Sequence, residues 1–205
     1  MNQLKKFDKS FVDSKVRFIA GVDEAGRGPL AGPVVAAAVI FNNSEFIEKV
    51  NDSKKISENV REHLYNIIID KALAFGVGIV NEKTIDEINI LNATMKAMKK
   101  AVNNLDITPD IVLIDGNRAF KSSLETRTVI KGDSQSFSIA AASIIAKVTR
   151  DRIMKKNSLS YPEYFWNKNK GYGTREHIEA IKEHGPTSIH RISFLSNIIE
   201  QEPFI

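Results

Sequence analysis

The chain has 205 residues, 42% hydrophobic and 26% charged, which suits one ordinary globular domain and excludes a fibrous repeat, a disordered chain and two full domains. A formal charge of +4 is compatible with a polyanionic partner without requiring one, and the absence of cysteine excludes disulfides and thiolate metal sites, leaving oxygen and histidine as metal ligands. The longest apolar run, Val34 to Phe41, is too short to cross a bilayer, and MNQLKKFDKS lacks the apolar core of a secretion signal, so the sequence predicts a cytoplasmic protein with no membrane partner.

Residues 16–22 and 34–41 are rich in Val, Ile, Phe and Ala, and the turn-forming AGRGPLAGP between them predicts a β-hairpin of central strands. After NDSKKIS, Ser57 is placed to cap a helix carrying Val60, Leu64, Ile67 and Ile68 as far as about Ala74. FGVGIV reads as the third strand. Thr84 is expected to cap the next helix, whose apolar stripe is Ile88, Leu91, Met95, Met98 and Val102. DIVLID then predicts a short buried strand ending at Asp115, and TRTVIKGD another ending at Asp133. Helices are expected at about 138–157 and 174–184, and a terminal helix with a frayed tail after Phe194. The order β-β-α-β-α-β-β-α-α predicts a mixed α/β sheet covered by helices.

The carboxylates are the chemistry-bearing feature. Asp23 and Glu24 end the first strand, and Asp115 and Asp133 each follow an apolar strand beside a glycine, so all four could converge on one end of the sheet. For either LIDG or KGDS alone, a turn or cap role is the better explanation of the aspartate. Paired acids at the end of a buried strand are harder to explain so, because their desolvation demands a strong partner. In apolar surroundings the cluster would take up protons unless a cation neutralised it, and Mg²⁺ or a similar hard ion favours all-oxygen ligands. Two ions so held would suit phosphodiester hydrolysis, one activating the attacking water and the other stabilising the leaving oxygen.

At GVDEAGRGPLAGPVVAAAV the chain resembles type 2 ribonuclease H (ribonuclease HII), and further motifs follow in that family's order: NDSKKIS, LIDG, KGDS, AASIIAKVTRDR, NKGYGT and HRISF. The resemblance spans about residues 16–195. It implies a ribonuclease H-like α/β fold with a helical C-terminal region, in one domain with its core at about 16–160 and the helical part at about 161–205. It also implies an endoribonuclease that uses Mg²⁺ or Mn²⁺, cuts the RNA strand of RNA–DNA hybrids and nicks 5′ to single ribonucleotides in duplex DNA, leaving 5′-phosphate and 3′-hydroxyl ends. The resemblance makes Asp23, Glu24, Asp115 and Asp133 the catalytic metal ligands. It assigns Gly26, Arg27 and Gly28 to recognition of the ribonucleotide at an RNA–DNA junction, where glycines permit close approach and the 2′-hydroxyl tells RNA from DNA.

By the same resemblance Tyr172 packs on the deoxyribose that follows, and Lys54, Lys147 and Arg150 contact phosphates. Helical spacing allows Ala141, Ile145 and Val148 to face the core while Lys147 and Arg150 point outward to an anionic strand. Without the resemblance, Tyr172 reads as an aromatic flanked by glycines, and the basic residues as a solvated helix face or ion pairs. His190 is expected to be a structural hydrogen-bonder, and no role is assigned to His63, His177 or His184.

The related type 3 enzymes carry an extra N-terminal domain and lack Gly-Arg-Gly; about fifteen residues before the first strand leave no room for that domain. A catalytically dead binding module would have been signalled by a lost carboxylate, and a related DNA exonuclease gives no reason for GRG or KGYG. Gln201 and Phe204 are too little for a sliding-clamp motif, and the resemblance implies a monomer.

Overall fold

Every residue of VVAAAVI at 34–40 is fully buried, so this strand must be covered on both faces. In the computed structural model, which describes residues 3–51 and 53–199, the covering is done by helices on either side of a five-stranded sheet. The strands are β1 (Ile19–Ala25), β2 (Val34–Ile40), β3 (Ala74–Val80), β4 (Ile111–Asp115) and β5 (Glu125–Val129), in the spatial order β3-β2-β1-β4-β5. The expected hairpin is present, with β1 antiparallel to β2 and β2 antiparallel to β3. On its other side β1 runs parallel to β4, and β4 parallel to β5, so the sheet is mixed as expected and β1 is its central strand.

The helices among the described residues are α1 (Gln3–Lys9), α2 (Glu58–Lys71), α3 (Glu82–Asn103) and α4 (Phe137–Asn157) around the sheet, with α5 (Trp166–Asn169) and α6 (Arg175–His184) beyond α4. The period of two along each strand sorts the core. Ala20 and Val22 of β1 and Val112 and Ile114 of β4 pack with Ala93, Ala97 and Met98 of α3. Ile19, Ile111 and Leu113 pack on the other face with Ile139 of α4, while Ala37 and Val39 of β2 meet α2 and α4. Gly21 is where α4 comes closest to β1: a Cβ there would lie 2.1 Å from the main-chain carbon of Ser138, so no other residue allows the approach.

Several local expectations need correction. The strand placed at TRTVIKGD ends at Val129, and Asp133 sits in a 3₁₀ turn (Gly132–Ser134) that Lys131 enters in the left-handed conformation. The cap of α3 is Asn81, whose side chain accepts from the Thr84 amide, and Asn89 interrupts the helix at φ 65° while its side chain accepts from the Asn92 amide. Ser57 stands at the start of α2 without a side-chain cap bond. Helix α1 was not expected. It is held by Asp8, whose carboxylate accepts from Ser136 Oγ at 2.6 Å, Ser138 N at 2.9 Å and Ser138 Oγ at 2.8 Å, at the N-terminus of α4.

The C-terminal region is helical only in part. Short α5, α6 and 3₁₀ turns at Pro162–Tyr164 and Ile192–Phe194 enclose a separate cluster of Ala31, Met154, Tyr164, Trp166, Ile181 and Leu195. No helix follows Phe194 among the described residues, and Gln201 and Phe204 lie outside them. No helix among the described residues is long and apolar enough to cross a membrane.

Candidate active site

The parallel pair β1–β4 sets the site. Val22 lies opposite Ile114, so both strands deliver their last residues, Asp23 with Glu24 and Asp115, to the same end of the sheet. Alternation puts Asp23 and Asp115 on the α4 face and Glu24 on the α3 face, beside Leu91 and Met95. Asp133 arrives from the turn after β5, which is tied to β4 by the Gly132 amide donating to Asp115 Oδ1 at 2.6 Å.

These groups repel one another. Burial pushes the Asp23 carboxyl well above its usual range, and the charges of Glu24, Asp115 and Asp133 push the same way. Glu24 is also raised by burial, against the pull of Arg27, whose Nη1 stands 3.4 Å from Glu24 Oε1. The ammonium of Lys54 lies 4.0 Å from Asp133 Oδ2. Among the described residues no three acidic or histidine side chains stand close enough in this arrangement to hold one metal ion, as expected when adjacent carboxylates lie on opposite faces of a strand. The donor set is nevertheless all oxygen and short of positive charge, which matches a hard divalent cation in chemistry.

Next to the carboxylates, the loop after β1 is tethered from below. Gly26 is buried at φ 97°, and a Cβ there would meet Arg150 Nε at 2.1 Å. Arg27 and Gly28 are exposed. A cleft of about 540 Å³ is lined by Glu24, Gly26, Arg27, Gly28, Lys54, Lys147 and Tyr172, so these residues are brought together. Tyr172 is 43% exposed, its ring faces Gly28, and the Lys147 ammonium lies 5.8 Å from the ring centre while also pairing with Asp151 at 2.7 Å.

Arg150 corrects the sequence reading. It does not point outward: it is fully buried, with Nε donating to Pro33 O at 3.0 Å, Nη1 to Lys170 O at 2.9 Å and Nη2 to Ala31 O at 3.0 Å. Helix α4 lies between the sheet and the C-terminal cluster, so both of its faces are covered and the outward side inferred from periodicity is an inner one. Arg150 thus braces the loop beneath Tyr172, with its guanidinium 5.8 Å from the ring centre.

Two further groups were missed. Arg191, also fully buried, donates to Gly26 O at 2.6 Å, Arg27 O at 3.0 Å and Gly32 O at 2.7 and 2.9 Å. Burial and the neighbouring Arg150 lower it to about 9, which leaves it charged at neutral pH. His177 is fully buried between Trp166, His190 and the Tyr172 carbonyl. His190 is a buried hydrogen-bonder, in keeping with its expected structural role. The HRISF motif carried a signal for Arg191, an arginine close to Ile189, Ile192 and Phe194; His177, within a charged helix, carried none.

The ribonuclease HII family model matches residues 20–197, which include both the sheet-end carboxylates and this platform. The chain belongs to the ribonuclease HII family. Ribonuclease HII of Acetivibrio thermocellus is 58% identical over 193 residues, covering 94% of this chain and 75% of that one. That of Clostridioides difficile is 54% identical over 193 residues, covering 94% and 76%. Among solved structures, ribonuclease H2 from Pyrococcus horikoshii superposes with a TM-score of 0.71 at 32% identity, covering 86% of this chain and 93% of that one. Bst-RNase HIII in complex with Mn²⁺ gives a TM-score of 0.68 at 18% identity over 88% of this chain and 68% of its own, a likeness of fold alone. The ribonuclease H-like architecture expected from the sequence is therefore the one found.

Proposed function

We propose that the chain is a metal-dependent endoribonuclease that hydrolyses the RNA strand of RNA–DNA hybrids and nicks duplex DNA on the 5′ side of a single embedded ribonucleotide. The observation that carries this reading is one contact: Arg27 of the exposed Gly-Arg-Gly loop touches Glu24 of the carboxylate cluster, in the cleft that Tyr172 also lines. A group able to read a 2′-hydroxyl thus adjoins the groups able to serve the scissile phosphate.

Asp23, Glu24, Asp115 and Asp133 would hold Mg²⁺ or Mn²⁺, two ions with substrate bound, and these would supply the positive charge that offsets the developing negative charge of phosphodiester hydrolysis. In that reaction a water oxygen bonds to phosphorus and the bond to the upstream 3′-oxygen breaks, leaving a 3′-hydroxyl and a 5′-phosphate. Arg27 and the main chain of Gly26 and Gly28 bind the ribonucleotide, Tyr172 packs on the following deoxyribose, and Lys54 and Lys147 hold flanking phosphates. Arg150 serves by holding the loop rather than by touching phosphate. On this reading the α/β core at about 16–160 carries the chemistry and the region at about 161–205 the substrate platform, in a cytoplasmic monomer.

The test is cleavage of a duplex with one ribonucleotide, an all-DNA duplex and a long hybrid, each with Mg²⁺, Mn²⁺ or chelator. The expected result is an ion-dependent nick 5′ to the ribonucleotide, cleavage of the hybrid and no cutting of DNA. Arg27→Ala should lower cutting at the lone ribonucleotide about tenfold more than cutting within the hybrid, the effect of about one charged hydrogen bond. Equal loss on both substrates would remove the junction role from Arg27.

A further inference from the structure

Tyr172 lies between Gly171 and Gly173, residues that impose little on the backbone, yet its exposed ring must keep one position to serve as a packing surface. Its carbonyl oxygen accepts from Thr174 N at 2.8 Å and is 2.9 Å from His177 Nδ1. A carbonyl only accepts, so Nδ1 of His177 carries the proton and Nε2 is left as an acceptor. Trp166 Nε1, which only donates, points at that Nε2 from 3.0 Å.

The same reasoning fixes the second ring. Thr187 N donates to His190 Nδ1 at 2.8 Å, so the proton of His190 is on Nε2, and Nε2 lies 3.1 Å from His177 Nε2. The direction of the bonds then runs from Thr187 through His190 and His177 to the Tyr172 carbonyl, with the single lone pair of His177 Nε2 shared between Trp166 Nε1 and His190 Nε2. Both rings are buried, 0% and 2% exposed, and packed against Trp166 and Tyr164. Burial lowers the pKa of both, His190 to about 4, so both are neutral at physiological pH, as the chain of bonds requires.

We propose that His177, held in its Nδ1-protonated form by His190 and Trp166, is a positioning residue that fixes Tyr172 and thereby sets discrimination between a lone ribonucleotide and a continuous hybrid. The proposal rests on the role given above to Tyr172. It differs from a general stabilising role, because one nitrogen does the positioning and the other only secures the tautomer.

Two near-isosteric replacements separate the ring nitrogens. His177→Asn retains a donor near Nδ1, whereas His177→Gln retains polarity near Nε2 and loses that donor. His177→Gln should raise KM for the lone-ribonucleotide duplex about fivefold with a smaller change in kcat, the scale of one hydrogen bond, and His177→Asn should recover most of that loss. In a Tyr172→Ala background the difference between the two should disappear, since the ring they position is gone. A Gln variant that loses cleavage equally on both substrates, or a difference between Gln and Asn that persists without the Tyr172 ring, overturns the proposal.

A measurement on the unaltered protein covers variants that fail to fold. Imidazole ¹⁵N shifts should report Nδ1–H for His177 and Nε2–H for His190, and the reverse tautomer of His177 refutes the relay. If the unaltered protein does not cut at a lone ribonucleotide, the functional reading fails separately. The relay is then decided by these shifts and by whether the Tyr172 ring resonances move in His177→Gln and return in His177→Asn.

Discussion

The two halves of the cleft treat buried polarity in opposite ways. At the sheet end, Asp23 is 6% exposed and repelled by three other carboxylates, while the neighbouring cations Arg27 and Lys54 stand against Glu24 and Asp133. In the platform, Arg150 and Arg191 are fully buried with carbonyl partners for their guanidinium groups, and His177 and His190 form a closed set of bonds. The sheet end gathers like charges with cationic partners only at its edge, whereas the platform satisfies its buried donors internally. The first arrangement sacrifices stability for reactivity, while the second supplies rigidity.

Removing a charge from each half should therefore give opposite outcomes. Asp115→Asn should reduce cleavage about a thousandfold or more, on the scale of a lost metal ligand, while duplex binding persists through the lysines and thermal stability does not fall. A variant that cuts at near-normal rates would remove Asp115 from the catalytic set. Arg191→Ala should instead destabilise the fold by about 3 kcal/mol, because the carbonyls of Gly26, Arg27 and Gly32 lose a buried partner. Denaturant titration reads this directly, and a loss below about 1 kcal/mol would mean that the loop is held by something else.

The smallest effect concerns pH. The buried histidines have folded pKa values below the unfolded value of about 6.5, so between the two the unfolded chain binds more protons. Their contribution to stability is complete above about 6.5 and is lost as pH falls toward the folded value, which for His190 is about 4. Melting temperature measured from pH 7 to 5 should fall, and less steeply in His190→Asn. An equal slope in both would show that other groups carry the dependence.

How far the sequence displayed these halves depends on whether the information is local. VVAAAVI has no polar face and can only be an interior strand, and the carboxylates stand where apolar runs stop, so sheet and acidic cluster were legible from short segments. The platform was not. Arg150 lies on a helix whose outer side is covered by a region fixed only by long-range contacts, so periodicity aimed it the wrong way. Helix α1 escaped notice because LKKFD is short and mostly charged, and its docking depends on serines 128 and 130 residues further along. Asn81 and Thr84 both suit a cap, and only the backbone decides between them.

The bonds from Arg191 to the carbonyls of Gly26 and Arg27 join positions 165 and 164 residues apart, nearly the length of the chain. During ribosomal synthesis the carboxylate strands can pair as soon as β4 has emerged, but the loop at Gly26 and Arg27 must wait until Arg191 has been made. A nascent chain stalled before His190 would thus carry the sheet-end carboxylates without the bonds that fix the loop beside them. The loop beside the carboxylates is therefore fixed later than the strands that carry them.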